Sequence, residues 1–477
     1  MITAKAFAGK HYAVLGLARS GLATVEALLA SGARVTAWDD REEAREKLLP
    51  LYQGEVARSA GGGTSSLSDR PPPSAAPTPP PELGEGLSAV DFTSSDLTQF
   101  DSIVVTPGLP LNRHPIAQRA RDAGVEIIGD IELFARARAE LPPHKVVGIT
   151  GTNGKSTTTA LVHHILQTAG VPSLMGGNIG LPILSRDPLP EGGVYVLELS
   201  SYQIDLTQSL DCDVAVLLNI TPDHLDRYES FEAYAASKRR LFEMQTGDHS
   251  AIFVVDDVEA ENALKHFATT EPPLAIVQNV VFKRFCPAWA GQLTDGLDQK
   301  LWPALQGTHN AQNTAAAIEV SLNFGIYIDV IEEGLRTFPG LPHRMERIQT
   351  RDGVLFVNDS KATNAEAAAP ALAAYPKVRW IVGGQAKGET LGDTDRQLDH
   401  VVVAYTIGEA GPMFARLLRE AGVKVVECET LENAVKRAAE DSQAGETVLL
   451  SPASASFDQF RDFEERGDRF RELVGAL

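Results

Sequence analysis

The chain has 477 residues, 43% hydrophobic and 22% charged, an ordinary balance for a globular protein but too long for a single core. Its 43 basic and 63 acidic residues leave a net charge of −20, which argues against nucleic acid or an anionic membrane as partner. No apolar run approaches the roughly 18 residues of a membrane helix, residues 1–10 lack a signal-peptide layout, and Cys212, Cys286 and Cys428 suggest neither a disulfide framework nor a zinc site, so the cytoplasm is the expected compartment.

Residues 12–17 read as a short apolar strand, 22–30 as a helix closed by Gly32, and 34–38 as a second strand ending in Asp39, Asp40 and Arg41. This is a βαβ opening with an acidic residue after its second strand, but only Gly16 and Gly21 stand where a dinucleotide fingerprint needs three glycines. Alone, the stretch serves a packing turn as well as a nucleotide site. Residues 57–86 contain a triple glycine at 61–63 and triple prolines at 71–73 and 79–81. Such a composition buries too little apolar area to order itself and reads as a mobile surface insertion. Strands resume at 102–105 and 125–128, and a helix opening at Gly129 ends near Pro142 and Pro143, the first domain boundary.

The next stretch organises the chain. A β-branched run over 146–150 breaks into Gly151, Thr152, Asn153 and Gly154; Lys155 and Ser156 follow, and Leu161, Val162, Ile165, Leu166 and Ala169 recur at helical spacing. Strand, glycine loop, lysine, hydroxyl and helix form the order that a nucleotide triphosphate needs. The glycines let backbone N–H groups close on phosphates, and the helix N-terminus adds positive potential. Lys155 can reach the β- and γ-phosphates and Ser156 can ligate Mg²⁺. The strict pattern asks for glycine where Ile149 stands, so the match is to a shorter variant.

Beyond the loop, residues 176–180 read as a polar turn carrying Asn178. Strands at 194–197 and 214–218 run into Glu198 and into Asn219, Asp223, His224 and Asp226, where open α/β sheets place ligands. Residues 231–244 read as a helix carrying Lys238, and 252–255 as a strand. On its own Lys238 reads as an exposed cation beside Arg239 and Arg240. A helix beginning at 307–313 sets Asn310 and Asn313 on one face. Residues 338–342 form the second boundary. The last third alternates strands (355–357, 380–382, 401–405, 448–450) with helices, and its strands end in polar or glycine turns. The expected fold is α/β with three domains: Rossmann-like over 1–141, a P-loop-type mononucleotide-binding domain over 142–338, and Rossmann-like over 339–477.

The motifs at 151–156, 198–201, 219–226, 309–313, 343–344 and 358–363 look like those of the Mur ligases, in the family's order and across all three domains. Residues 57–86 fall outside that pattern. The resemblance implies ATP-driven amide formation with two Mg²⁺ ions. The carboxylate of UDP-N-acetylmuramoyl-L-alanine takes the γ-phosphoryl group, and the amine of D-glutamate attacks the acyl phosphate. It implies that Lys155, Glu198, His224 and Lys238 are catalytic, and that Gly151, Thr152, Asn153, Gly154, Lys155, Ser156, Thr157, Asn310, Arg344, Asp359 and Lys361 hold ATP. Leu17, Ala18, Arg19, Ser20, Asp39, Arg41, Gly108, Asn178 and His224 would hold the UDP-substrate; Thr363, Lys387, Ser456, Phe457 and Phe463 would receive D-glutamate.

The implied metal ligands are Ser156, Glu198, His224 and a carbamate on Lys238. On chemistry alone His224 serves equally as a hydrogen-bonding residue, because Mg²⁺ prefers oxygen. A monomer acting on small molecules is the expected state. A folylpolyglutamate synthase or another ligase of the superfamily is the nearest alternative. A non-catalytic nucleotide-binding regulator would have lost Lys155, Glu198, His224 or Lys238, and all four are present.

Overall fold

The computed structural model describes residues 1–48, 86–223, 226–247, 249–255, 258–260, 262–263, 280–284, 299–386 and 388–477. All of the insertion expected at 57–86 except Gly86 lies outside these residues, as do His224 and Lys387.

The first sheet consists of β1 (His11–Leu15), β2 (Arg34–Trp38), β3 (Leu87–Ala89), β4 (Ser102–Val105) and β5 (Ile127–Ile128), in the order β3-β2-β1-β4-β5 and all parallel. Four consecutive residues of β1 and all four of β4 are buried. Strands of a parallel sheet covered on both faces need such unbroken apolar runs. The helix Arg19–Ala30 connects β1 to β2. Gly16 has φ +94°, and a Cβ on Gly21 would lie 1.9 Å from the Gly16 carbonyl oxygen, so this tight turn requires both glycines.

The second sheet consists of β6 (His144–Thr150), β7 (Ser173–Gly177), β8 (Gly193–Glu198), β9 (Val214–Leu217), β10 (Ser250–Val255) and β11 (Val280–Arg284), in the order β11-β10-β9-β6-β8-β7 and also all parallel. The polar turn expected at 176–180 begins later, because Gly176 and Gly177 close β7. Gly177 pairs with Glu198, and a Cβ there would stand 2.2 Å from the Glu198 carbonyl oxygen; the missing side chain lets the strand run on.

The third sheet consists of β12 (Glu346–Arg351), β13 (Val354–Asn358), β14 (Val378–Gly383), β15 (Val401–Ile407), β16 (Val425–Glu429) and β17 (Thr447–Leu450), in the order β12-β13-β17-β14-β15-β16. Only β12 runs antiparallel. Its polar, half-exposed run carries no periodic apolar signal, and the sequence reading misses it. The sheet has an apolar cluster on each face: Ile381 packs with Tyr405 and Phe470 on one side, and its neighbours Trp380 and Val382 pack with Leu372 and Phe414 on the other.

The chain divides into two compact units. Met1–Phe285 with Ala316–Tyr327 holds the first two sheets, which share one apolar core reaching from Phe7 and Tyr12 to Tyr195 and Phe253. Cys286–Ala315 with Ile328–Leu477 holds the third. No helix among the described residues is long and apolar enough to cross a membrane.

Candidate active site

In the first sheet, Leu17, Ala18, Arg19 and Ser20 lie at the start of the helix Arg19–Ala30, beyond the C-terminal end of β1. The strand order reverses between β1 and β4, so these residues border a crevice of the kind that takes ligands. Asp39, just past β2, accepts the Leu17 amide at 2.8 Å and the Arg41 amide at 3.0 Å, and Arg41 Nε lies 3.1 Å from its Oδ1. Burial pushes the Asp39 carboxyl up, but the Arg41 and amide hydrogen bonds outweigh it and hold the group at about 2. Gly108 follows β4. The structure thus brings the expected UDP contacts of this sheet to adjacent strand ends.

In the second sheet, β6 ends where Gly151 begins the phosphate loop. Asn219 Oδ1 accepts the amides of Thr152 and Asn153 at 3.1 and 2.8 Å, and its Nδ2 donates to the Asn153 carbonyl at 3.1 Å. This bracing role was not assigned from sequence, although Asn219 belongs to the motif at 219–226. Thr152 Oγ1 donates to the Thr221 carbonyl at 3.1 Å and lies 3.0 Å from the Tyr234 hydroxyl. Gly154 takes φ +86° as the residue before the helix Lys155–Thr168. Ser156 and Thr157 are buried in the first turn of that helix.

Two lysines meet at this loop. Lys155 Nζ donates to the Gly151 and Thr152 carbonyls at 3.0 and 2.7 Å, and Lys238 Nζ donates to the same Gly151 carbonyl at 2.8 Å. The structure corrects the reading of Lys238 as an exposed cation, because the residue is 1% exposed. It lies on the inward face of the helix Phe231–Glu243, with its ammonium 4.6 Å from the centre of the Tyr234 ring. Burial, reinforced by the charge of Lys155, holds its amine well below the ordinary lysine range.

Glu198 ends β8 and is 2% exposed. Its Oε1 accepts from Asn178 Nδ2 at 3.0 Å, and its Oε2 is buried with no hydrogen-bond partner among the described residues. An orphaned buried carboxylate oxygen calls for a cation. Together with the Ser156 hydroxyl and phosphate oxygens, it fits the sparse oxygen set that Mg²⁺ takes.

The second unit carries the other candidates. Asp359, at the end of β13, accepts from Ser451 Oγ at 2.7 Å and from the Met345 amide at 3.1 Å. Burial pushes its carboxyl up to about 7 against the pull of Ser451 and Arg344. Arg344 sits between His343 (φ 62°) and Met345 (φ 48°), a strained turn of the kind that collects at functional sites. Its Nε is buried without a hydrogen-bond partner among the described residues. Burial and the Arg344 charge lower His309 to about 4, so this imidazole is neutral. Asn310 accepts from Asn313 Nδ2 at 3.2 Å, as their spacing implies.

Lys361 stands with its ammonium 5.5 Å from the centre of the Phe463 ring, and the Thr363 amide donates to the Lys361 carbonyl at 2.9 Å. Ser456 is buried and Phe457 exposed. Sequence reasoning missed Arg466, which is 1% exposed. Its Nε donates to Ser360 Oγ at 2.9 Å, and its Nη atoms reach the carbonyls of Ser360, Ser454 and Ala455 at 2.8, 3.1 and 3.3 Å. It thereby ties the Asp359 turn to the loop before Ser456, and a helical position after an acidic pair gave no sign of this.

A glycine loop at the end of a parallel strand, opening a helix through Lys155, is the arrangement with which α/β nucleotide-binding proteins cradle phosphates. The family model for the Mur ligase middle domain matches residues 149–321, and that for the Mur ligase glutamate ligase domain matches residues 343–454. The chain belongs to the Mur ligase family. It is 55% identical to the UDP-N-acetylmuramoylalanine–D-glutamate ligase of Novosphingobium aromaticivorans, over 100% of this chain and 97% of the relative. To the enzyme of the same name from Sphingopyxis alaskensis it is 54% identical, over 100% of both. Among solved structures, it resembles the UDP-N-acetylmuramate–alanine ligase of Thermotoga maritima (TM-score 0.52, 16% identity, 98% of this chain and 99% of that one). The MurF ligase of Thermotoga maritima in complex with ADP gives the same TM-score at 15% identity, over 99% of this chain and 97% of that one. These two likenesses establish the fold alone.

Proposed function

We propose that this chain joins D-glutamate to UDP-N-acetylmuramoyl-L-alanine with ATP, as a step of peptidoglycan precursor synthesis. The observation that carries the choice of substrates is the 55% identity, along the whole chain, to a ligase of that name. Residues 1–141 bind the UDP moiety, 142–338 bind ATP, and 339–477 receive the amino acid. The chain works as a monomer in the cytoplasm.

The alanyl carboxylate attacks the γ-phosphorus of ATP, forming a C–O–P bond and releasing ADP. The D-glutamate amine then attacks the acyl carbon, the amine proton leaves, and the tetrahedral intermediate expels phosphate to leave the amide. Lys155 and the loop amides hold the phosphates and counter the charge that gathers on them. Asn178 fixes the Glu198 carboxylate through Oε1 and leaves Oε2 directed to a cation. Ser156, Glu198, His224 and a Lys238 carbamate would hold Mg²⁺, which when bound would supply positive charge against the repulsion between γ-phosphate and carboxylate. Lys238 supplies that carbamate because its depressed amine can be neutral and attack CO₂. Asp39 stays ionised throughout the physiological range and can accept hydrogen bonds from the uridine nucleotide.

Phosphate release from ATP tests the function. It should require both UDP-N-acetylmuramoyl-L-alanine and D-glutamate and fail with L-glutamate. Release with another amino acid or a folate in place of D-glutamate would move the chain to a sister activity.

Lys387 is assigned to the side-chain carboxylate of D-glutamate. A charged hydrogen bond is worth about 1–3 kcal/mol, so Lys387→Ala should raise KM for D-glutamate by about 10–100-fold. KM for ATP should stay unchanged, and equal rises in both constants would reject the role.

A further inference from the structure

Residues 106–113, which follow β4 and include Gly108, are tied to residues 226–227 in both directions. Asn112 Nδ2 and Arg113 Nη2 donate to the Asp226 carbonyl at 3.1 and 3.0 Å. In return, Arg227 Nη2 donates to the Gly108 carbonyl at 2.9 Å. The Arg227 guanidinium also lies over the Tyr202 ring, 4.6 Å from its centre. Tyr202 belongs to the short helix Ser201–Asp205 that follows Glu198. It stacks on Tyr228 at 6.0 Å with the planes 13° apart, and Tyr228 meets Tyr234 edge-on at 5.4 Å. Tyr234 reaches the phosphate loop through Thr152. One half-buried arginine therefore joins the loop at Gly108 to the Glu198 turn and, through three tyrosines, to the phosphate loop.

We propose that Arg227 is a positioning residue for the ligation: it holds the loop at Gly108, and with it the UDP-substrate, in register with the Glu198 turn and the phosphate loop. This rests on the reading of Gly108 as a UDP-substrate contact. A guanidinium suits the task because it is both a flat face for stacking on Tyr202 and a fork of N–H donors for the Gly108 carbonyl. A lysine ammonium supplies a single point charge and cannot stack in the same way. Registration matters because a displacement of about 1 Å between reacting groups costs about 10²-fold in rate.

The test compares Arg227→Ala and Arg227→Lys with the wild-type chain in steady-state kinetics and in amide hydrogen exchange. Both variants should lose about 10–100-fold in kcat/KM for UDP-N-acetylmuramoyl-L-alanine, while KM for ATP stays within about twofold. Exchange should quicken at residues 106–113 and 226–228 and stay unchanged at 151–156. A parallel rise in KM for ATP, full activity of the lysine variant, or unchanged exchange at 106–113 would overturn the proposal. A wild-type chain that releases no phosphate with D-glutamate would overturn the proposed function instead, and the exchange comparison would still decide the role of Arg227.

Discussion

Lys238→Ala should lower kcat by about 10³-fold, the scale at which a preorganised electrostatic partner of the transition state is lost. As an exposed cation the residue would be dispensable, since surface charges contribute little. Its burial beside Lys155 and its bond to the Gly151 carbonyl put it against the glycine loop instead. On the proposed mechanism, the lost group is the carbamate that the neutral amine would form by taking up CO₂ and releasing a proton. Because burial and the Lys155 charge hold the amine well below the ordinary lysine range, the neutral form is reached at lower pH than for an exposed lysine. Carbamate formation, and with it CO₂-dependent activity, should fall as pH drops through that lowered value. Carbon-13 NMR of protein equilibrated with labelled CO₂ and Mg²⁺ should show one carbamate in the wild type and none in the variant. An active, Mg²⁺-bound enzyme with a free Lys238 amine would reject the assignment.

The same shift fixes a sign for stability. Between the lowered folded value and the ordinary unfolded one, the unfolded chain binds the Lys238 proton more tightly than the folded chain. Stability therefore rises with pH across that window as far as this group is concerned, and its penalty is largest on the acid side. The alanine variant should lose that slope, which thermal unfolding at several pH values would reveal.

Lys155→Met should cost at least about 10³-fold in kcat, because phosphoryl transfer depends on cations placed where charge spreads over the γ-phosphoryl oxygens. The loop carbonyls of Gly151 and Thr152 hold Lys155 at the N-terminus of its helix, so the ammonium is preorganised beside the glycine loop. Its contribution grows in the transition state, so kcat should fall more than affinity for ATP. Lys155→Arg should not restore the rate, since a planar fork does not fit where a compact ammonium sits against two carbonyls. Single-turnover measurement of ADP formation separates the chemical step from binding. A Met variant within tenfold of wild type would remove Lys155 from the mechanism.

Local sequence carries the layered α/β plan, because parallel strands buried on both faces appear as unbroken apolar runs, as in β4 and β9. It also determined the phosphate loop, whose glycines, lysine and hydroxyl act through local backbone geometry, and the pairing of Asn310 with Asn313 along one helix face. Local sequence could not show β12, a polar edge strand whose place is set by its pairing with β13. Nor could it show what surrounds a side chain. Lys238 sits among basic neighbours in sequence, yet it is buried because Gly151, Tyr234 and Lys155 close over it. Helical periodicity says which residues share a face, but the packing of distant elements sets what covers that face. The orphaned Glu198 oxygen, the Arg466 tie and the contacts of Arg227 with Gly108 and Tyr202 belong to the same class. Each depends on partners brought together by strand order, and their chemistry follows from burial and distance.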